Sequence, residues 1–220
     1  SRYLAPRYVD PKILESVREN LTFISNETKR CGDIVKNLLL FARKTSDDFK
    51  EEHLNNIIDE SVRVIDHSIT MKELLLVKHL DEEGDLIQCN ASGIKQLLVA
   101  LIINAIEASS PGGKIGISTD CRTEKERVRI MVTDEGVGIP DDVLPHVFEP
   151  FFSTKVKSTG LGLSVVYGIV EQHRGAISIE SKVNQGTTFT IVLPRVSPET
   201  EEQQGKRTRS NLSIQDGPQS

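Results

Sequence analysis

The stretch from Asp134 to Leu163, DEGVGIPDDVLPHVFEPFFSTKVKSTGLGL, constrains this chain more than any other. It strings together a carboxylate at a strand end, glycine turns and the start of a helix. Asp134 follows the alternating apolar residues Val128, Ile130 and Val132, which place it at the end of a buried strand. A carboxylate there accepts a hydrogen bond from an exocyclic amine. Gly136 and Gly138 let the backbone approach a flat ring. Gly160, Leu161, Gly162, Leu163 and Ser164 then open a helical repeat of Leu163, Val166, Ile169 and Val170. The N–H groups and positive end of such a helix face phosphate oxygens. Between the two, the polar, lysine-bearing segment Ser153 to Thr159 is expected to form a mobile flap over the phosphates.

A glycine turn ahead of a helix is ordinary punctuation when it stands alone. Order and company change that. Upstream, Gln96 to Ala108 reads as a buried helix that carries Asn104 among Leu, Ile and Ala. Downstream, Gly186 to Leu193 reads as a strand with a polar entry at Thr187.

With these motifs in this order, the chain resembles the sensor histidine kinases and their ATPase domain of the Bergerat fold. Asn104 matches the N box, DEGVGIP the first glycine box, FEPFF the F box, TGLGLS the second glycine box and GTTF the last. The resemblance runs from about Asp10 to Pro194, and SVVYGIVEQHRGAISIES is most similar to the nitrogen-regulation type. It implies an α+β fold: a two-layer α/β sandwich with a mixed sheet covered by about three helices, preceded by a long heptad helix. It also implies ATP and Mg²⁺ as ligands, with Asn104 making the metal-linked contact and Asp134 the adenine contact. Ala108, Gly136, Gly138, Ile139, Lys155, Thr159, Gly160, Leu161, Gly162, Leu163 and Thr187 match the remaining ATP-binding positions.

The residues agree with that assignment on their own chemistry. An amide buried in an apolar helix costs free energy unless it meets a polar partner, and the oxygen of Asn104 suits a hard cation that keeps most of its waters. Read alone, Asn104 is an ordinary satisfied amide and Asp134 a turn residue. Lys155 would screen phosphate charge, whereas Lys157 reads as a solvated loop charge. Phe148, Phe151 and Phe152 are expected to wedge the flap against the core. The chain departs from the family pattern in three places. Ser158 stands where the second glycine box usually begins with another glycine, and the flap is shorter than in close relatives. Ala100, one turn before Asn104, offers no base to activate water, which argues against fast hydrolysis.

Composition narrows the classes. A chain of 220 residues, 37% hydrophobic, can bury one good core with appendages. A net charge of −5 argues against a nucleic-acid surface. Cys31, Cys89 and Cys121 are odd in number and lack metal-ligand spacing, as in a reducing compartment. No run reads as a membrane span or signal peptide. A cytoplasmic location is expected for this chain, whether or not the parent protein is anchored to a membrane.

Residues 1–48 are expected to supply part of a dimerisation hairpin. Asp10 and Pro11 start a helix spanning about 10–45. Leu14, Val17, Leu21, Ile24, Thr28, Cys31, Val35, Leu38 and Ala42 form its heptad seam, widened by Ile34 and Phe41. Such a seam needs partner helices and points to a homodimer. The segment resembles the second hairpin helix of the family, whose first helix carries the phosphoacceptor His. No His precedes His53, so that first helix is expected to be missing. His53, His67, His79, His146 and His173 all read as surface or structural residues.

Thr45 to Glu52 reads as a linker into a catalytic domain at 49–196. There Asn55 or Asn56 caps a helix carrying Ile57, Ile58, Ser61, Val62 and Ile65. Leu74–Leu80 and Leu86–Cys89 read as a hairpin, Ser92 as the cap of the Asn104 helix, and residues 197–220 as a disordered tail. The resemblance implies an ATP-binding kinase domain that passes the γ-phosphoryl group to a hairpin His, for relay to a response-regulator receiver domain. An ATP-gated interaction module and a hydrolytic ATPase are the alternatives.

Overall fold

Asp10 caps the first helix, α1 (Pro11–Ala42), its carboxylate accepting the Lys12 N–H at 2.9 Å. The computed structural model describes residues 10–42, 49–155 and 158–195. The first half of the expected seam, Leu14, Val17, Leu21 and Ile24, is 47–61% exposed. The side chains of Cys31, Val35, Leu38 and Ala42 lie outside the described residues, as do Thr45, Lys157 and the expected tail.

β1 (Lys50–His53) runs into α2 (Leu54–Met71), followed by β2 (Leu75–His79), β3 (Leu86–Cys89) and α3 (Ala91–Ala108). β4 (Lys114–Asp120), β5 (Arg127–Asp134), α4 (Gly162–Gln172), β6 (Ala176–Lys182) and β7 (Gly186–Pro194) complete the order, with a short 3-10 turn at Leu144–His146. A five-stranded mixed sheet has the order β2-β4-β5-β7-β6, in which only the β2–β4 pair is parallel. The period of two in β4, β5 and β7 turns Ile115, Ile117, Val128, Ile130, Val132, Phe189, Ile191 and Leu193 to one face. These residues are at most 4% exposed and pack beneath α2, α3 and α4. The fold is α+β, one mixed sheet covered by three helices.

Four local expectations are corrected. β2 and β3 do not form a hairpin: β2 joins β4, while β3 pairs with β1 in a separate two-stranded sheet. The turn-like run between them is tied elsewhere, with the Asp81 carboxylate accepting from Cys121 N at 2.9 Å and Arg122 at 2.5 Å. Residues 50–52, read as linker, therefore belong to a strand. α2 is not capped by Asn55 or Asn56. His53 precedes the helix without a side-chain cap, and Asp85 supplies the acceptors, its carbonyl accepting from Leu54 N at 2.9 Å and its carboxylate from Asn55 N at 3.4 Å. Asn90, not Ser92, caps α3, accepting from Gly93 N at 3.0 Å. On length and composition alone, α3 would also pass as a membrane-crossing helix. Here it is the central core helix, with Ile94, Leu97, Leu98, Leu101 and Ile102 fully buried.

Candidate functional site

The C-terminal ends of β5 and α3 meet where the sheet leaves room for a ligand. Asp134 closes β5 and is 4% exposed. Burial pushes its carboxyl up from the ordinary value, against hydrogen bonds from the N–H groups of Gly136 and Thr187 and the charge of Lys155. The Gly136 bond is 2.8 Å. Gly136 also has no room for a side chain, because a Cβ would lie 2.6 Å from the Ala108 carbonyl oxygen. Val137 N donates to that same carbonyl at 3.2 Å, which fastens the loop to the end of α3. Gly138 has φ +68, and a Cβ there would overlap the backbone of Lys182.

Ser181, on β6, organises the far side of this loop. Its hydroxyl accepts from Ile139 N at 2.8 Å, donates to the Gly186 carbonyl at 3.0 Å and stands 2.9 Å from the Thr187 hydroxyl. Thr187 pairs in register with Asp134 across the β5–β7 ladder. Sequence pattern alone gives Ser181 only an exposed strand position.

These groups open into a cavity of about 670 Å³, within the range that holds a small-molecule ligand. Asn104, Ala108, Asp134, Gly138, Ile139, Lys155, Gly160, Gly162, Leu163 and Thr187 line it. Gly136, Thr159 and Leu161 do not. Gly136 acts from behind through its bond to Asp134. Leu161 is buried at the start of α4, and its carbonyl accepts from Val165 N and the Ser164 hydroxyl, each at 3.0 Å. α4 has no side-chain cap, and its first residues, Gly162 and Leu163, face the cavity.

Sequence reasoning missed part of the lining. Val143, Val147, Phe152 and Phe189 supply apolar wall, beside Ser153 and Thr154 of the segment expected as a flap. Lys72 reaches in from the end of α2, bonding the carbonyls of Ile106 at 2.5 Å and Glu107 at 3.2 Å. No local signal marks it, since only the packing of α2 on α3 brings it there. The aromatic residues do not act as one wedge. Phe148 packs against Tyr167 with centroids 5.5 Å apart, Phe152 lines the cavity, and Phe151 is 61% exposed.

The cavity's chemistry is that of a binding site. No three His, Cys, Asp or Glu side chains gather as a metal cage among the described residues. Ala100 is apolar. Cys89 and Cys121 lie in the core, and burial holds the Cys89 thiol up to about 12, so neither is a nucleophile.

Residues 89–197 match the family described as histidine kinase-, DNA gyrase B- and HSP90-like ATPase. Sporulation kinase C of Bacillus subtilis is 35% identical over 178 residues, covering 80% of this chain and 41% of that protein. Sensor histidine kinase ZraS of Escherichia coli is 34% identical over 171 residues, covering 78% of this chain and 36% of that protein. The chain thus spans less than half the length of these curated relatives. Among solved structures, the catalytic domain of histidine kinase ThkA is similar, with TM-score 0.63 and 33% identity over 68% of this chain and 97% of that one. ThkA in complex with response regulator protein TrrA gives TM-score 0.69 and 30% identity over 86% of this chain and 54% of that one.

Proposed function

Because the chain belongs to the histidine kinase-, DNA gyrase B- and HSP90-like ATPase family, with sensor histidine kinases as its relatives, we propose that it is the ATP-binding kinase part of such a sensor. The observation that carries this reading is the buried carboxylate of Asp134, which lines a cavity of about 670 Å³ together with the first residues of α4. Asp134 accepts from the adenine amine, and the bond from Gly136 fixes its direction. Gly138 and Ile139 lie along the ring, with Thr187 beside them. The first turn of α4, with Gly160 and Gly162, receives phosphate oxygens, and Lys155 adds a positive charge.

Asn104 is the residue that would hold Mg²⁺, its amide oxygen being a hard donor suited to that cation. The metal would neutralise charge on the transferring phosphoryl group. The chain's own contribution is positioning and charge complementarity.

The acceptor is a His on a dimerisation hairpin to which α1 contributes a helix. The exposed stripe of Leu14, Val17, Leu21 and Ile24 supports that role and a homodimer through α1. A response-regulator receiver domain is the onward partner, and the relay is cytoplasmic. The nitrogen-regulation type remains our reading from the α4–β6 segment. The test is to incubate the chain with γ-labelled ATP, first alone and then with a fragment supplying the first hairpin helix. Acid-labile label on the fragment is expected. Unlabelled fragment, despite demonstrated ATP binding and helix association, would contradict the kinase reading.

A further inference from the structure

Glu107 lies in the last turn of α3, on the cavity side, and its carboxylate bonds the Lys155 ammonium at 2.5 Å. The pair joins α3 to the segment after Phe152 across the cavity mouth. At 48% and 44% exposure the two side chains meet water, so the attraction is modest and readily exchanged. The Lys155 charge also reaches Asp134. One ammonium thus acts on two carboxylates that line the same cavity. Among the described lining residues the other cation is Lys72, and it is already engaged by the carbonyls at the end of α3.

A phosphate chain offers that ammonium more charge and more acceptor oxygens than one half-exposed carboxylate. Lysine responds as a mobile point charge and can turn from one acceptor to the other without loss of geometry. Glu107 and bound phosphates therefore compete for a single cation. We propose, resting on the nucleotide reading of this cavity, that Glu107 is a positioning residue that holds Lys155 at the mouth and yields it to phosphate. The carboxylate thereby weakens the binding of phosphate-bearing ligands and leaves the base and ribose unaffected.

Titration calorimetry on the full chain with Mg-ATP and with adenosine tests this, using the parent, Glu107→Gln, Lys155→Met and the double variant. Glu107→Gln should tighten ATP about two- to fivefold, the scale of one exposed ion pair, and leave adenosine unchanged. Lys155→Met should weaken ATP, and in that background Glu107→Gln should gain almost nothing. An equal gain in both backgrounds means simple repulsion and overturns the positioning role. Weaker ATP binding by Glu107→Gln, or an equal change for adenosine, overturns it as well. A parent chain that binds no adenine nucleotide would instead sink the reading of function, and this inference with it.

Discussion

The backbone N–H of Asn90 donates to Nε2 of His173 at 3.1 Å, joining the start of α3 to the end of α4. His173 is 3% exposed, its Nδ1 donates to the Ile169 carbonyl at 2.7 Å, and the Phe49 ring lies 4.8 Å away. Acceptance at Nε2 requires the neutral ring, and donation from Nδ1 places its proton there. Burial accordingly holds the His173 pKa below its ordinary value.

The sign of the pH effect follows from that depression. Below about pH 6.5 the unfolded chain takes up a proton that native His173 refuses, so stability is fullest above this pH and falls as pH drops toward the native value. Urea unfolding across this range should show the loss. His173→Ala should cost about 1–3 kcal/mol through the unsatisfied Asn90 N–H and flatten this part of the profile. An unchanged profile in the variant would refute the assignment.

Much of the site was legible because its signals are local. Alternation placed β5 and β7, the glycine turns fixed the loop after Asp134, and periodicity placed α3 and α4. What escaped was set by distant partners. Asp85 caps a helix that begins 31 positions before it in sequence, and nothing near Leu54 announces this. Asn90 outcompetes Ser92 as a cap because His173 also anchors its backbone. The partners of β2 and β3 were illegible for the same reason, since a turn-like run looks alike whether the chain doubles back or crosses to another sheet.

Gly138→Ala should destabilise the fold by at least about 2 kcal/mol. A non-glycine residue at φ +68 is strained, and the Cβ collides with backbone that has no freedom to move. Chemical denaturation measures the loss. A variant as stable as the parent would show that the loop rearranges.

Hydrolysis of ATP without an acceptor should be slow, at or below the low end of the ~1–10³ s⁻¹ span of ordinary turnover. Ala100, one turn before Asn104, offers no proton acceptor to activate water. Steady-state phosphate release at saturating ATP checks this. Brisk turnover that survives Glu107→Gln and Glu135→Gln would reveal a base not identified by the cavity lining.

Under the proposed function, Asp134 reads the base and Asn104 carries the metal-dependent part of binding. Titration calorimetry with ATP, in the presence and absence of Mg²⁺, separates the two. Asp134→Ala is expected to abolish binding under both conditions, because it removes the one buried carboxylate among the described residues that line the cavity. Asn104→Ala should lose chiefly the increment that Mg²⁺ adds. Unchanged affinity in the Asp134 variant would contradict the account at its base.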